Sequence, residues 1–173
     1  FSSEGKVVRF AESAVRALGR TARGVKGIKL AQGHRLISLV VPKEGSKILT
    51  VSENGYGKRS ETQEFPVKGR GTKGVIGMTM SERNGSLVGA EQVWDGDEMM
   101  LISNQGTAVR TRVEEVSVQG RNTQGVRVIK TRDGEALVSV SRIAEDDIDA
   151  ADPVSDLDQQ VSGGAPSDDT GIA

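Results

Sequence analysis

Three short loops of glycine and cation carry the residues whose spacing could do chemistry. They are Gly19-Arg20-Thr21-Ala22-Arg23-Gly24-Val25, Gly69-Arg70-Gly71-Thr72-Lys73-Gly74-Val75 and Gly120-Arg121-Asn122-Thr123-Gln124-Gly125-Val126. A Gly-x-x-x-x-Gly loop cradles phosphate when Lys and then Ser or Thr follow the second Gly. Here Val25, Val75 and Val126 follow, which removes that chemistry. Gly69 to Gly74 also fits the pattern G-x-G-x-x-G. That pattern needs a helix behind it, to set its N-terminus on a pyrophosphate. The residues that follow, Val75-Ile76-Gly77-Met78-Thr79-Met80, read as a strand. What remains is electrostatic. The glycines permit close backbone approach and positive φ, and the cations project from loops between strands.

Other reactive side chains stand alone. Tyr56, in Gly55-Tyr56-Gly57, could be a nucleophile, but no acidic metal-binding cluster or His accompanies it in the sequence. It reads as a turn or packing residue. His34 reads as a loop polar residue and Trp94 as a core or rim anchor. A single His and no Cys exclude a histidine metal cluster, a thiolate zinc site and a disulfide framework. We expect no catalytic residue and no metal ligand in this chain.

The loops are one landmark of an internal repeat, recurring at spacings of 50 and 51 residues. Fourteen residues before each loop stands another glycine: Gly5, Gly55 and Gly106. Four residues after each of those stands an arginine: Arg9, Arg59 and Arg110. An alternating apolar stretch follows each loop: Leu36 to Val41, Leu87 to Trp94 and Leu137 to Ile143. Such periods indicate a solenoid, propeller or array. Lys6 to Phe10, Met99 to Ser103, Thr107 to Thr111 and Val113 to Val118 read as short strands bounded by Gly, Asn and Asp turns. Residues 11–18 could form a short helix. About four strands per repeat is the arithmetic of a propeller blade. The expected fold is all-β, with three four-stranded blades over 4–52, 53–103 and 104–143.

The net charge of −1 averages two unlike regions. Residues 144–173 hold nine acidic side chains and no basic one. Residues 1–143 hold 23 basic against 15 acidic, a net of +8. The tail's composition buries too little apolar surface to order itself, so we expect it to be flexible. The basic body points to phosphate. Repetition would set Arg20, Arg23 and Lys26, then Lys58, Arg59, Lys68, Arg70 and Lys73, then Arg110, Arg112, Arg121 and Arg127, along one edge of successive blades. Such a row suits the phosphates of a duplex. Five aromatics (Phe1, Phe10, Tyr56, Phe65, Trp94) are too few for single-strand stacking. Contact should therefore be salt-sensitive and tolerant of sequence. A protein-interaction propeller is the rival, and it would need an apolar patch. The −9 tail is expected to compete with DNA for the basic edge. Unpaired blade edges invite pairing between copies, so dimerisation is expected too. The opening Phe1-Ser2-Ser3 reads as the start of a piece of a longer chain. No apolar run approaches a membrane span.

Asn54-Gly55-Tyr56-Gly57-Lys58-Arg59 with Gly69 to Val75, and Val109-Arg110-Thr111-Arg112 with Gly120 to Val126, resemble the C-terminal domain of the A-type subunit of bacterial DNA gyrase. The resemblance spans essentially all of 4–143. It implies a β-pinwheel whose blades exchange strands, and a module that binds, bends and wraps duplex DNA. It implies partnership with the remainder of gyrase A and with gyrase B in ATP-dependent negative supercoiling, at the nucleoid in the cytoplasm. ATP and Mg2+ would serve the whole enzyme, with no cofactor in this piece. Three repeats are about half of such a domain. The Gln-Arg-Arg-Gly-Gly-Lys-Gly type motif of its first blade is missing, and Gly69 to Gly74 is a degenerate echo of it. The C-terminal domain of topoisomerase IV is the alternative on fold alone.

Overall fold

The computed structural model describes residues 1–145. The acidic stretch 146–173, on which the expectation of a flexible, competing tail rests, lies outside the described residues. Within them the protein is all-β, with nine strands and three single-turn 3-10 segments. The strands are β1 (Lys6–Val7), β2 (Lys47–Ser52), β3 (Tyr56–Glu61), β4 (Val75–Ile76), β5 (Leu87–Val93), β6 (Glu98–Ser103), β7 (Ala108–Arg112), β8 (Val126–Arg127) and β9 (Leu137–Ile143).

They form three antiparallel sheets, ordered β1-β4, β5-β2-β3-β8 and β7-β6-β9. Two strands cross between repeats. β4, from the second repeat, pairs with β1 of the first, and β8, from the third, pairs with β3 of the second. This is strand exchange between neighbouring blades. It explains why only the central sheet has four strands. Among the described residues the third sheet receives no strand from a following repeat. In the first, Leu36 makes a single bridge to Ser2 where a ladder was expected.

The pairings also regroup the repeats. β2 lies between β3 and β5, in registers Leu49↔Arg59 and Leu49↔Glu91. Residues 47–93 therefore make one blade and 98–143 the next. Boundaries at 52/53 and 103/104 cut each blade's hairpin at its turn, because the recurring glycine sits in that turn rather than at a sheet's edge. Two shorter segments also differ from expectation. Residues 11–18 contain a 3-10 turn, Glu12–Ala14, and Val113–Glu115 is another where a strand was read.

Apolar layers lie between successive sheets. Ile48 packs with Val7, Phe65 and Ala90 toward the first sheet. Its neighbours Leu49 and Val51 point the other way, to Met99, Leu101, Val113, Val116, Leu137 and Val140. This is the period-two alternation of a strand buried on both faces.

The recurring glycine makes each seam. Gly5 has φ 75° and Gly55 φ 79°. The Gly5 carbonyl accepts from the N–H of Gly77 (2.8 Å) and Met78 (3.1 Å), and the Gly55 carbonyl from Val128 (2.8 Å) and Ile129 (3.2 Å). A Cβ at Gly5 would collide with the Met78 carbonyl, and at Gly55 with that of Ile129. Gly106, the third copy, also has positive φ but faces open space. Position 55 therefore bears a clash as well as a backbone penalty. Gly55→Ala is expected to lower stability by more than ~2 kcal/mol, against ~1 kcal/mol for Gly106→Ala, the left-handed cost alone. Urea unfolding midpoints of the two variants check this difference.

Candidate nucleic-acid interface

The second and third Gly-Arg loops each pack on the segment just beyond the preceding loop. The Gly71 N–H donates to the Gly27 carbonyl (2.5 Å) and the Lys29 N–H to that of Thr72 (2.8 Å). One repeat on, the Thr79 N–H donates to the Thr123 carbonyl (2.9 Å). The loop arginines hold this alignment. Arg70 donates to the carbonyls of Ala14 (2.9 Å) and Lys26 (3.3 Å). Arg121 donates to that of Ile76 (2.9 Å). Each reaches back to the preceding repeat. Arg20 makes no such bond among the described residues.

Two residues expected at the surface are interior. Lys58 is fully buried, and its Nζ donates to the carbonyls of Gly120 (2.8 Å) and Arg121 (2.5 Å) and to Thr123 Oγ1 (3.2 Å). Burial, reinforced by the Arg121 charge, lowers its pKa from 10.5 to about 8. Arg59 is 7% exposed. Its Nε donates to the Val116 carbonyl (2.7 Å), its Nη2 to that of Glu114 (3.3 Å), and its Nη1 pairs with Asp95. The physical reason for both placements is strand exchange, which lays the third repeat over β3. Arg9 does the same one repeat earlier, donating to Thr62 (2.8 Å) and Phe65 (3.1 Å) carbonyls. These side chains clamp the next blade's 3-10 turn and are unavailable to a phosphate. Arg110, the third copy, clamps no 3-10 turn among the described residues; it is exposed and pairs with Glu98.

The remaining cations face solvent. Arg20, Arg23, Lys26, Lys68, Arg70, Lys73, Arg112 and Arg127 are all exposed, and none forms an ion pair among the described residues. Arg121 is half-buried. Lys6, Lys29 and Arg83 are cations outside the set of expected contacts. Lys6, Lys29 and Lys73 line one groove beside Glu4, Leu30 and Ala31. Arg83 lies over the Tyr56 ring, 4.6 Å from its centroid, and Arg127 donates to the Tyr56 hydroxyl (2.8 Å). Tyr56 is thus a buried packing residue. Its phenol pKa is lowered by Arg83 and then Arg127. The signal that could have found Arg83 is spatial: in the sequence its equivalent one repeat earlier is Gly33.

The isolated residues have structural partners. His34 Nδ1 meets Ser3 Oγ at 3.2 Å. Trp94 is half-buried under Arg142, 4.7 Å from its ring centre. All five aromatics are buried or half-buried, so none offers a stacking face. Among the described residues no group of three His, Cys, Asp or Glu could hold a metal ion, and no helix is long and apolar enough to cross a membrane.

Comparison with known proteins yields one family, the DNA gyrase C-terminal domain, beta-propeller, matching residues 1–43, 46–93 and 97–144. The last two segments coincide with the blades drawn by strand pairing. The chain is 58% identical over 145 residues to the gyrase A protein of Pseudomonas aeruginosa, covering 84% of this chain and 16% of that one. It is 53% identical over 167 residues to that of Salmonella typhimurium, covering 94% and 19%. It therefore spans less than a fifth of the length of these relatives. The solved DNA gyrase A C-terminal domain superposes with a TM-score of 0.75 at 35% identity, over 83% of this chain and 49% of that one. The C-terminal domain of DNA topoisomerase IV shares the fold, with a TM-score of 0.78 at 22% identity over 87% and 48%.

The clamps make two predictions. Arg59→Ala strands buried carbonyls and is expected to cost ~2–3 kcal/mol, whereas Arg110→Ala at the exposed copy costs under ~1 kcal/mol. Chemical denaturation of both variants checks the contrast. Lys58 binds its proton less tightly folded than unfolded. Its contribution to stability should therefore rise with pH from about 8 to 10.5. Lys58→Met should lack that rise, read as the difference between the two unfolding curves across the window.

Proposed function

The chain belongs to the DNA gyrase C-terminal domain, beta-propeller, family, and from that premise we propose that it is a non-catalytic module that binds, bends and wraps duplex DNA. The observation that carries the reading is the row of adjoining loops. Arg20, Arg23, Lys26, Lys68, Arg70 and Lys73 are exposed there without a carboxylate partner. Cations held on a curved array of blades match a bent polyanion, and phosphate contacts fix position without reading bases. A duplex suits this surface better than a single strand, since no aromatic side chain is free to stack on a base.

In the longer protein the module would act with the remainder of gyrase A and with gyrase B. The curved duplex would present a crossing segment for strand passage, and ATP with Mg2+ would drive negative supercoiling at sites outside this chain. The 35% identity to the gyrase A domain, against 22% to the topoisomerase IV domain, supports the gyrase reading. A protein-interaction propeller is less well supported, because the exposed apolar side chains that flank the loops, Leu18, Val67 and Val118, are interleaved with cations.

The test is a fluorescence-anisotropy titration of a mixed-sequence duplex at several salt concentrations. If about six phosphates are neutralised, log K against log salt should have a slope near −5. Energy transfer between dyes at the duplex ends should rise on binding, as bending brings them together. Binding that ignores salt would sink the proposal.

A further inference from the structure

The cations that recur in the sequence mostly stitch the blades together, which leaves open which groups grip the DNA. The seams between blades offer an answer. At the first seam a groove of about 470 Å³ is lined by Glu4, Lys6, Lys29, Leu30, Ala31 and Lys73. Its lysines come from two repeats. Lys6 stands on β1 opposite Ile76 of β4, Lys29 is tied through its N–H to Thr72, and Lys73 precedes β4. No hydrogen bond or ion pair engages any of the three ammonium groups among the described residues. With Glu4 the groove carries a net +2.

The second seam has the same construction with different residues. Tyr56 occupies the Lys6 position, opposite Arg127 of β8 as Lys6 is opposite Ile76. Tyr56 brings no cation of its own, but it seats two guanidiniums. Arg83 lies 4.6 Å and Arg127 5.4 Å from the ring centre, and Arg127 bonds the hydroxyl. Both arginines are exposed, and neither has a carboxylate partner among the described residues. Like charges gathered without a counter-charge repel one another, and an anion between them relieves that repulsion. Guanidinium forks match phosphate oxygens.

We propose that the two blade seams are the phosphate grips of the duplex-binding surface: Lys6, Lys29 and Lys73 at the first, and Arg83 and Arg127 seated on Tyr56 at the second. This rests on the duplex-binding reading and specifies its contacts. Each seam takes a phosphodiester of the passing backbone, so contacts recur once per blade. The first groove is open, and its ammonium groups are point charges on flexible stems. That suits a strand crossing the groove better than an enclosed free phosphate, which is usually cradled by backbone N–H groups.

The test compares the full 173-residue chain with three variants by anisotropy on two unrelated mixed-sequence duplexes over a range of KCl. The variants are Lys6→Ala/Lys29→Ala/Lys73→Ala, Arg83→Gln/Arg127→Gln, and Lys43→Ala, an exposed lysine that belongs to neither grip. Glutamine at 127 keeps a donor for the buried Tyr56 hydroxyl, and unchanged thermal unfolding verifies the fold of each variant. Each seam variant should flatten the salt slope by about 1 and weaken both duplexes by the same factor. Lys43→Ala should leave the slope in place. A wild-type slope in both seam variants would overturn the grips and leave duplex binding standing. Absence of salt-dependent binding in the unaltered chain would overturn the functional reading itself. Calorimetry with pyrophosphate supplies a further arm. Pyrophosphate binding lost in the lysine variant, with its duplex slope unchanged, would mark a free-phosphate site and also overturn the proposal.

Discussion

A glycine carbonyl shared by two N–H groups of the next repeat is the contact on which this architecture depends. Gly5 and Gly55 each make it, and each must hold positive φ with no side chain to do so. Strand exchange follows directly, because the same approach sets β4 against β1 and β8 against β3. The guanidiniums of Arg9 and Arg59 then close the seam from the other side, onto backbone carbonyls of the following 3-10 turn. A buried polar group without a partner costs about 1–3 kcal/mol, so each seam commits several such groups to one geometry. Stability in such an array accumulates from nearest-neighbour seams as much as from each blade.

This constraint divides the cations into two populations. Arg9, Arg59, Lys58 and Arg121 bond carbonyls of a following or preceding repeat and hold it in place. Lys26, Lys68, Lys73 and Arg127 are exposed and keep their charge toward solvent. Arg70 does both, since it is exposed and still bonds two carbonyls. The buried group still contributes to the long-range field that steers a polyanion inward. It cannot make the close contacts that release counterions, so the +8 of the body overstates the number of phosphates it can neutralise.

The same division decides what was legible in the sequence. Gly5, Gly55, Arg9 and Arg59 stand out because identical seams demand identical residues, and the repeat is read from them; the all-β class comes from the strand runs and their turns, and the exchange of strands only from the family resemblance. The regular spacing was then read as a row of DNA contacts, when for Arg59 and Lys58 it recorded blade-to-blade contact. Lys58-Arg59 follows Asn54-Gly55, a turn signal, and so looked exposed; the residues that cover the pair, 114–123, come from 55 to 65 residues further on and leave no local trace. The seam charges were hidden for the opposite reason. Lys6 aligns with Tyr56 and Arg83 with Gly33, so similar charge is reached by residues that do not repeat. His34, Asn84 and Glu135 occupy one equivalent position in three chemistries, and each anchors a turn through its side chain.

Symmetry of the seams also specifies what the two ends of the array present. A Cβ at Gly106 or at Gly24 would meet nothing within 4 Å, although the equivalent positions Gly55 and Gly125 are tightly covered. Arg110 turns to Glu98 in its own sheet and holds no 3-10 turn among the described residues. One end therefore carries the glycine and arginine of a seam, and the other carries the open loop at Gly24 and the 3-10 turn Glu12–Ala14, the counterpart of the turns that such arginines clamp. These halves are complementary and not self-complementary, so contact between them is head-to-tail. Edge pairing of any exposed strand with its twin, the general hazard of open sheets, is thus the less specific way to cover these ends. The described residues equal about half of the solved gyrase A domain.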